Sequence, residues 1–180
     1  MSVWLQALTV KLTALINFSD SRIATWSFQT ALGELWTFVT QKTMLCWLFY
    51  DSGQGPVFGY SDGNVNRGVM LLITETEVSV LFKNQDYSST RTLSHPTELA
   101  GKGWKFVGAS YDRSSGEAKL WVDGNEVETK NIGADHELAT QGSVIMGKSL
   151  ESKITQMHVY NLSLTQEQIQ IIQKRTQIPG

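Results

Sequence analysis

Residues 104–124 read WKFVGASYDRSSGEAKLWVDG, and their alternation is that of a two-stranded hairpin. In the first segment Trp104, Phe106, Gly108 and Ser110 fall on one side, and Lys105, Val107, Ala109 and Tyr111 on the other. In the second, Ala118, Leu120 and Val122 alternate with Lys119, Trp121 and Asp123. A period of two belongs to strands with one buried face. Asp112-Arg113-Ser114-Ser115-Gly116 supplies the turn between them. Asp123-Gly124 opens a second hairpin, because glycine accepts the positive φ such a turn needs.

The same alternation extends outward in both directions. Leu8, Val10, Leu12, Ala14 and Ile16 predict a first strand, and residues 23–28 a second. Residues 31–43 stay open: Leu32, Leu35, Trp36 and Val39 have helical spacing, whereas 36–40 also suit a strand. Further strands are predicted at 44–50, 56–61, 68–74, 76–83, 88–93, 126–131, 143–147 and 152–160. Asp-Ser-Gly-Gln-Gly-Pro at 51–56 and the glycine- and asparagine-rich 61–68 read as turns, and 94–103 and 132–142 as longer loops. One helix is predicted, where Thr165 and Gln168 form a capping box and Ile169 and Ile172 an apolar face. Many short strands separated by turns predict an all-β fold, an antiparallel two-sheet sandwich with one short C-terminal helix. Residues 1–175 are expected to form one domain and 176–180 a loose tail.

The hairpin carries a family resemblance. Its Trp104, Tyr111-Asp112, Gly116 and Leu120-Trp121-Val122-Asp123-Gly124 resemble the central hairpin of laminin G and pentraxin domains, within the concanavalin A-like group of jelly-roll sandwiches. GSVIMG at 142–147 resembles that group's apolar strand ending in glycine, and ITQMHVYNLSLTQEQI at 154–169 its last strand and closing helix. MLCWLFYD (44–51), PVFGYS (56–61) and GVMLLIT (68–74) resemble its inner strands. The resemblance spans residues 35–172 and is specific for fold, since the group binds very different ligands. It implies a disulfide in pentraxins between the strand at 44–50 and a position four residues after the hairpin tryptophan. Here those positions hold Cys46 and Gly108, so the bridge cannot form.

Composition narrows the class. A chain of 180 residues buries enough surface, about 70% of the unfolded total, to fold without staples. Fifteen Lys and Arg against 17 Asp and Glu give a net charge of −2, without the basic excess of a nucleic-acid binder. The single cysteine, Cys46, argues against a disulfide framework and reads as a small buried hydrophobe. No stretch reaches the roughly 18–20 apolar residues of a membrane span. MSVWLQALTVKLTALINF lacks the charged start and small-residue cleavage site of an export signal, so an exported protein would already have lost its leader.

Each candidate site has a plainer competitor. The resemblance implies calcium at the sandwich rim, and calcium wants several oxygens from separate loops. Asp62 and Asn64, with Asn66, are the candidate ligands, yet Asp-Gly-Asn is also ordinary turn sequence. After Gly147 the acidic ligands of pentraxins are missing, and Lys148 and Lys153 would repel a cation. Glu75 and Glu77 alternate as in jelly-roll glycan hydrolases, whose carboxylates sit about 5 Å apart, but the third acid is missing. His95, His136 and His158 lack a nucleophile motif. Asn17-Phe18-Ser19 and Asn161-Leu162-Ser163 match the glycosylation acceptor pattern. Trp47 and Trp104 are expected between the sheets, and Trp121 at an outer surface or interface.

The expected function is non-enzymatic: a secreted, extracellular recognition or adhesion module binding a glycan or protein ligand through rim loops 51–67, 84–88 and 132–142. Tyr50, Tyr60, Asp62, Asn64, Asn66 and Tyr87 are the candidate ligand-binding residues. Calcium is the one cofactor considered. The alternatives are a self-assembly module forming homo-oligomers and, more remotely, a glycan-cleaving enzyme.

Overall fold

The computed structural model describes residues 9–12, 16–17, 24–26, 41–61, 66–84, 89–136, 138, 143–160 and 162–178. The open stretch 31–43 lies outside these up to residue 40; from residue 41 it is strand. The strands run β1 (Thr9–Leu12), β2 (Ile16–Asn17), β3 (Ala24–Trp26), β4 (Gln41–Gly53), β5 (Gly55–Ser61), β6 (Asn66–Ile73) and β7 (Glu77–Lys83). They continue as β8 (Thr90–Pro96), β9 (Trp104–Asp112), β10 (Glu117–Val122), β11 (Asn125–Asn131), β12 (Ser143–Met146) and β13 (Leu150–Tyr160), followed by α1 (Gln166–Arg175). One sheet has the order β1-β13-β4-β9-β10-β11, with β2 also on β13; the other has the order β3-β12-β5-β6-β7-β8. All pairings are antiparallel among the described residues, so this is a jelly-roll sandwich.

The central hairpin forms as its sequence predicts. β9 and β10 pair from Glu117↔Asp112 to Val122↔Val107. Asp112 Oδ1 accepts from the Ser114 amide at 2.8 Å and holds the connecting turn. Asp123 and Gly124 both take positive φ, 50° and 76°, as a two-residue hairpin turn requires. Val107, Ala109, Tyr111, Ala118, Leu120 and Val122 point between the sheets and meet Val57, Leu71, Val80, Phe82 and Ile154 there.

The other face of the hairpin sheet has its own core. Leu45, Trp47, Phe106 and Trp121 pack beneath Leu164 and Ile169 of the C-terminal segment. β4 is therefore covered on both sides, which explains why 44–49 reads as a continuous apolar run. The expectation for the tryptophans changes accordingly. Trp47 and the half-buried Trp104 lie in this outer core and not between the sheets. Trp121 is on the outer face as expected, but the helix seals it to 1% exposure and its Nε1 donates to Ser110 Oγ at 2.9 Å.

Helix α1 starts where the capping box places it. Gln168 N donates to Thr165 Oγ1 at 3.3 Å, and Thr165 N donates to Gln168 Oε1 at 2.9 Å. Thr43 fastens the incoming chain: its hydroxyl donates to Leu162 O at 2.6 Å and accepts from Leu164 N at 3.0 Å. Within the expected loose tail, Thr176 accepts from Trp47 Nε1 and Ile178 packs on the outer core.

Candidate functional site

Antiparallel register sorts the loops between the two ends of the sandwich. At one end, Ser61 pairs with Asn66 and Ser143, Lys83 with Thr90, and Gln41 with Asp112. The chain leaving β11 at Asn131 crosses this end, and Leu138 bridges to Asn84. At the opposite end lie the Gly53–Gly55 corner, the 74–76 turn, the 97–103 crossover and the 147–149 corner, where Gly147 N donates to Pro56 O at 2.8 Å.

The predicted rim set divides on this axis. Tyr60, the penultimate residue of β5, pairs with Arg67 and Val144, and Asn66 opens β6. Both belong to the first end, and their strands bracket 62–65, so Asp62 and Asn64 fall between them in sequence but outside the described residues. Tyr87 also lies outside them, between Asn84 and Ser89 of the same end. Tyr50 is different. It sits toward the opposite end of β4, 5% exposed, with its hydroxyl donating to Gly53 O at 2.7 Å. Its even-numbered place in β4 turns it inward with Cys46 and Leu48, so it offers no ring face for stacking. Likewise 51–56 is no rim loop beside 62–65: residues 51–53 extend β4, and Gly55 starts β5.

The first end holds groups that the sequence reading left unassigned. Tyr111 points between the sheets, its hydroxyl 2.8 Å from Gly133 O and 3.1 Å from His136 O. Its ring lies 6.0 Å from Phe82 and 6.4 Å, edge-on, from His136. Burial raises its pKa above the ordinary tyrosine value. Lys42, opposite Tyr111 in register, is 4% exposed, and burial pulls its amine down to about 7. Tyr111 had a signal in sequence, since its alternation placed it with Val107 and Ala109. Lys42 had none, because a lysine before an apolar strand reads as a solvated end.

The remaining candidates take plain positions. Cys46 is fully buried in the inter-sheet core, and burial pushes its thiol up to about 12, which suits an inert small hydrophobe. Gly108 faces Leu45 on the outer side, whereas Cys46 pairs with Val107 and points inward. Glu75 is exposed in the 74–76 turn and Glu77 starts β7, at the end away from 62–65. His158 Nδ1 lies 3.1 Å from the Tyr160 hydroxyl, in a stacked pair. Among the described residues no three His, Cys, Asp or Glu cluster to hold a metal. Asn17 pairs with Lys153 in β2, and Asn161 lies outside the described residues. No helix among the described residues is long and apolar enough to cross a membrane.

This architecture has solved counterparts. The CBM40 of Ruminococcus gnavus IT-sialidase bound to α2,6 sialyllactose is similar at TM-score 0.74 and 19% identity, over 92% of this chain and 97% of that one. The leech intramolecular trans-sialidase complexed with 2,7-anhydro-Neu5Ac is similar at TM-score 0.73 and 17% identity, over 96% of this chain and 28% of that one. The binding domain of botulinum neurotoxin DC in complex with rat synaptotagmin II is similar at TM-score 0.66 and 12% identity, over 95% of this chain and 47% of that one. At these identities the likeness is one of fold. A sequence comparison with curated proteins gives no match. Residues 27–170 match a laminin G family described as the concanavalin A-like lectin/glucanases superfamily, and the chain belongs to that superfamily.

Proposed function

We propose that this sandwich is a non-enzymatic lectin-like module that recognises a glycan at the end carrying loops 62–65, 84–89 and 132–142. The observation that carries the reading is the structural match, over 92% of this chain, to a CBM40 found with sialyllactose bound. That chain is 97% covered by this sandwich, so a domain of this size and architecture is sufficient to hold a glycan there. The toxin binding domain with a bound synaptotagmin makes a protein ligand the competing outcome. Against catalysis stands the placement of Glu75 and Glu77, which a turn and a strand start hold with no third acid clustered beside them among the described residues. An exported, extracellular location follows from the recognition role and belongs to the same proposal.

A glycan array probed with the wild type tests it. Binding to a defined glycan class, lost in Asp62→Ala or Tyr60→Ala variants that fold normally, is the expected result. An array without hits, followed by capture of a protein ligand, would replace the glycan by a protein. Binding unaffected by either substitution would move the site away from this end.

A further inference from the structure

We infer that Tyr111 is the positioning residue of the candidate binding end, fastening its 132–136 crossover from inside the sandwich. The inference rests on the function proposed above and adds how that end keeps its shape. The crossover leaves β11 of one sheet at the end of the sandwich where β12 of the other sheet begins. A segment in that position turns carbonyls inward, where an unpaired one is costly. Gly133 adopts φ 102°, a conformation that favours glycine, and its carbonyl meets the Tyr111 hydroxyl at 2.8 Å. The His136 carbonyl lies 3.1 Å from the same hydroxyl. One phenol proton is thus shared between two carbonyls three residues apart.

The crossover is fastened from outside as well. Arg113 Nε donates to Ala134 O at 3.2 Å, and Ile132 N donates to Gly116 O at 2.8 Å. Those contacts come from the 112–116 turn, in which Ser114 and Ser115 are exposed, whereas Tyr111 reaches the loop from the inter-sheet core. Its ring is held against Phe82 of β7, one residue before Lys83 and the Asn84–Leu138 bridge. Tyr111 therefore ties together the central hairpin, the crossover and the chain leading to Tyr87. Buried to 3% exposure and with its hydroxyl shared by two loop carbonyls, Tyr111 acts through the loop it holds.

Tyr50 provides an internal control, because it too is a buried tyrosine whose hydroxyl donates to a backbone carbonyl, but at the opposite end. Tyr111→Phe and Tyr50→Phe each delete one such hydroxyl and keep the ring. The experiment measures melting temperature, amide hydrogen exchange and titration with α2,6 sialyllactose for wild type and both variants. The inference predicts similar small losses of melting temperature, faster exchange at 133–138 in Tyr111→Phe only, and sialyllactose binding weakened about fivefold in that variant alone. Unchanged exchange at 133–138 in Tyr111→Phe would overturn it, as would equal weakening of binding in both variants. If the wild type binds no sialyllactose, the glycan reading loses its support for that sugar, while exchange at 133–138 still decides whether Tyr111 fastens the crossover.

Discussion

Trp47 and Thr176 meet across 129 positions of sequence: the indole Nε1 donates to the threonine hydroxyl at 2.9 Å. The hydroxyl in turn donates to Ile172 O at 2.8 Å, so the end of α1 is joined directly to the centre of the hairpin sheet. Thus the outer face of that sheet is core, and the C-terminal segment is part of the fold.

Truncating that lid should therefore destabilise the whole sandwich. Ile169, on the sheet-facing side of the helix, is fully buried. Ile169→Ala is expected to cost about 2–5 kcal/mol in urea unfolding, with a red shift of tryptophan emission when residues 163–178 are removed altogether. A loss below about 1 kcal/mol, the size of many surface changes, would mean that the helix is only loosely applied.

Gly108 is required by space. A Cβ there would meet the Met44 carbonyl oxygen and come within 2.6 Å of Leu45 Cδ2. Gly108→Ala should lower stability by about 1–3 kcal/mol, the range for overpacking. Gly108→Cys should be destabilised as well and should not oxidise onto Cys46, which points to the opposite face of β4. Mass spectrometry after mild oxidation checks this, and an intramolecular bridge would refute the assigned register.

Lys42 should make stability depend on pH. Its amine titrates at about 7 in the fold, against an ordinary 10.5. Between those values the unfolded chain holds a proton that the folded chain lacks, so stability rises with pH across the window and the penalty is complete below it. Chemical denaturation between about pH 7 and 9.5, below the ordinary tyrosine range, should show this rise in the wild type. In Lys42→Met the rise should be absent. Parallel profiles for the two proteins would show that Lys42 stays charged in the fold.

Calcium is expected to leave the melting temperature unchanged. At the corner after Gly147 the backbone is already engaged: Gly147 O accepts from Leu150 N at 3.1 Å, and the exposed Lys148 would repel a cation. A rise at millimolar calcium, abolished by Asp62→Ala, would instead place an ion at the Asp62–Asn64 loop.

Much of the architecture was legible because one physical signal dominated it. Alternation fixed the faces of β9 and β10, Asp123-Gly124 marked the turn, and Thr165 with Gln168 marked the helix start. The outer core was harder to read. Alternation tells which residues share a face, but not whether a helix that starts 45 positions after Trp121 covers it, so Trp121 read as outer surface or interface and Trp47 as inter-sheet. The division of the rim loops was hidden for a related reason. Residues 51–56 and 61–68 are neighbours in sequence, yet a strand of seven residues separates them by the full length of the sandwich. Tyr50 and Tyr60 look alike on paper and lie toward opposite ends in the fold.

The most direct test of the account is amide chemical-shift mapping with the glycan that binds best on the array. The account predicts perturbations at Ser61, Asn66, Asn84, Ser89 and 133–138, with Gly53–Gly55, 74–76 and the 166–175 helix unmoved. Perturbations confined to the Gly53–Gly55 corner or the helix face, or none with any glycan, would contradict it.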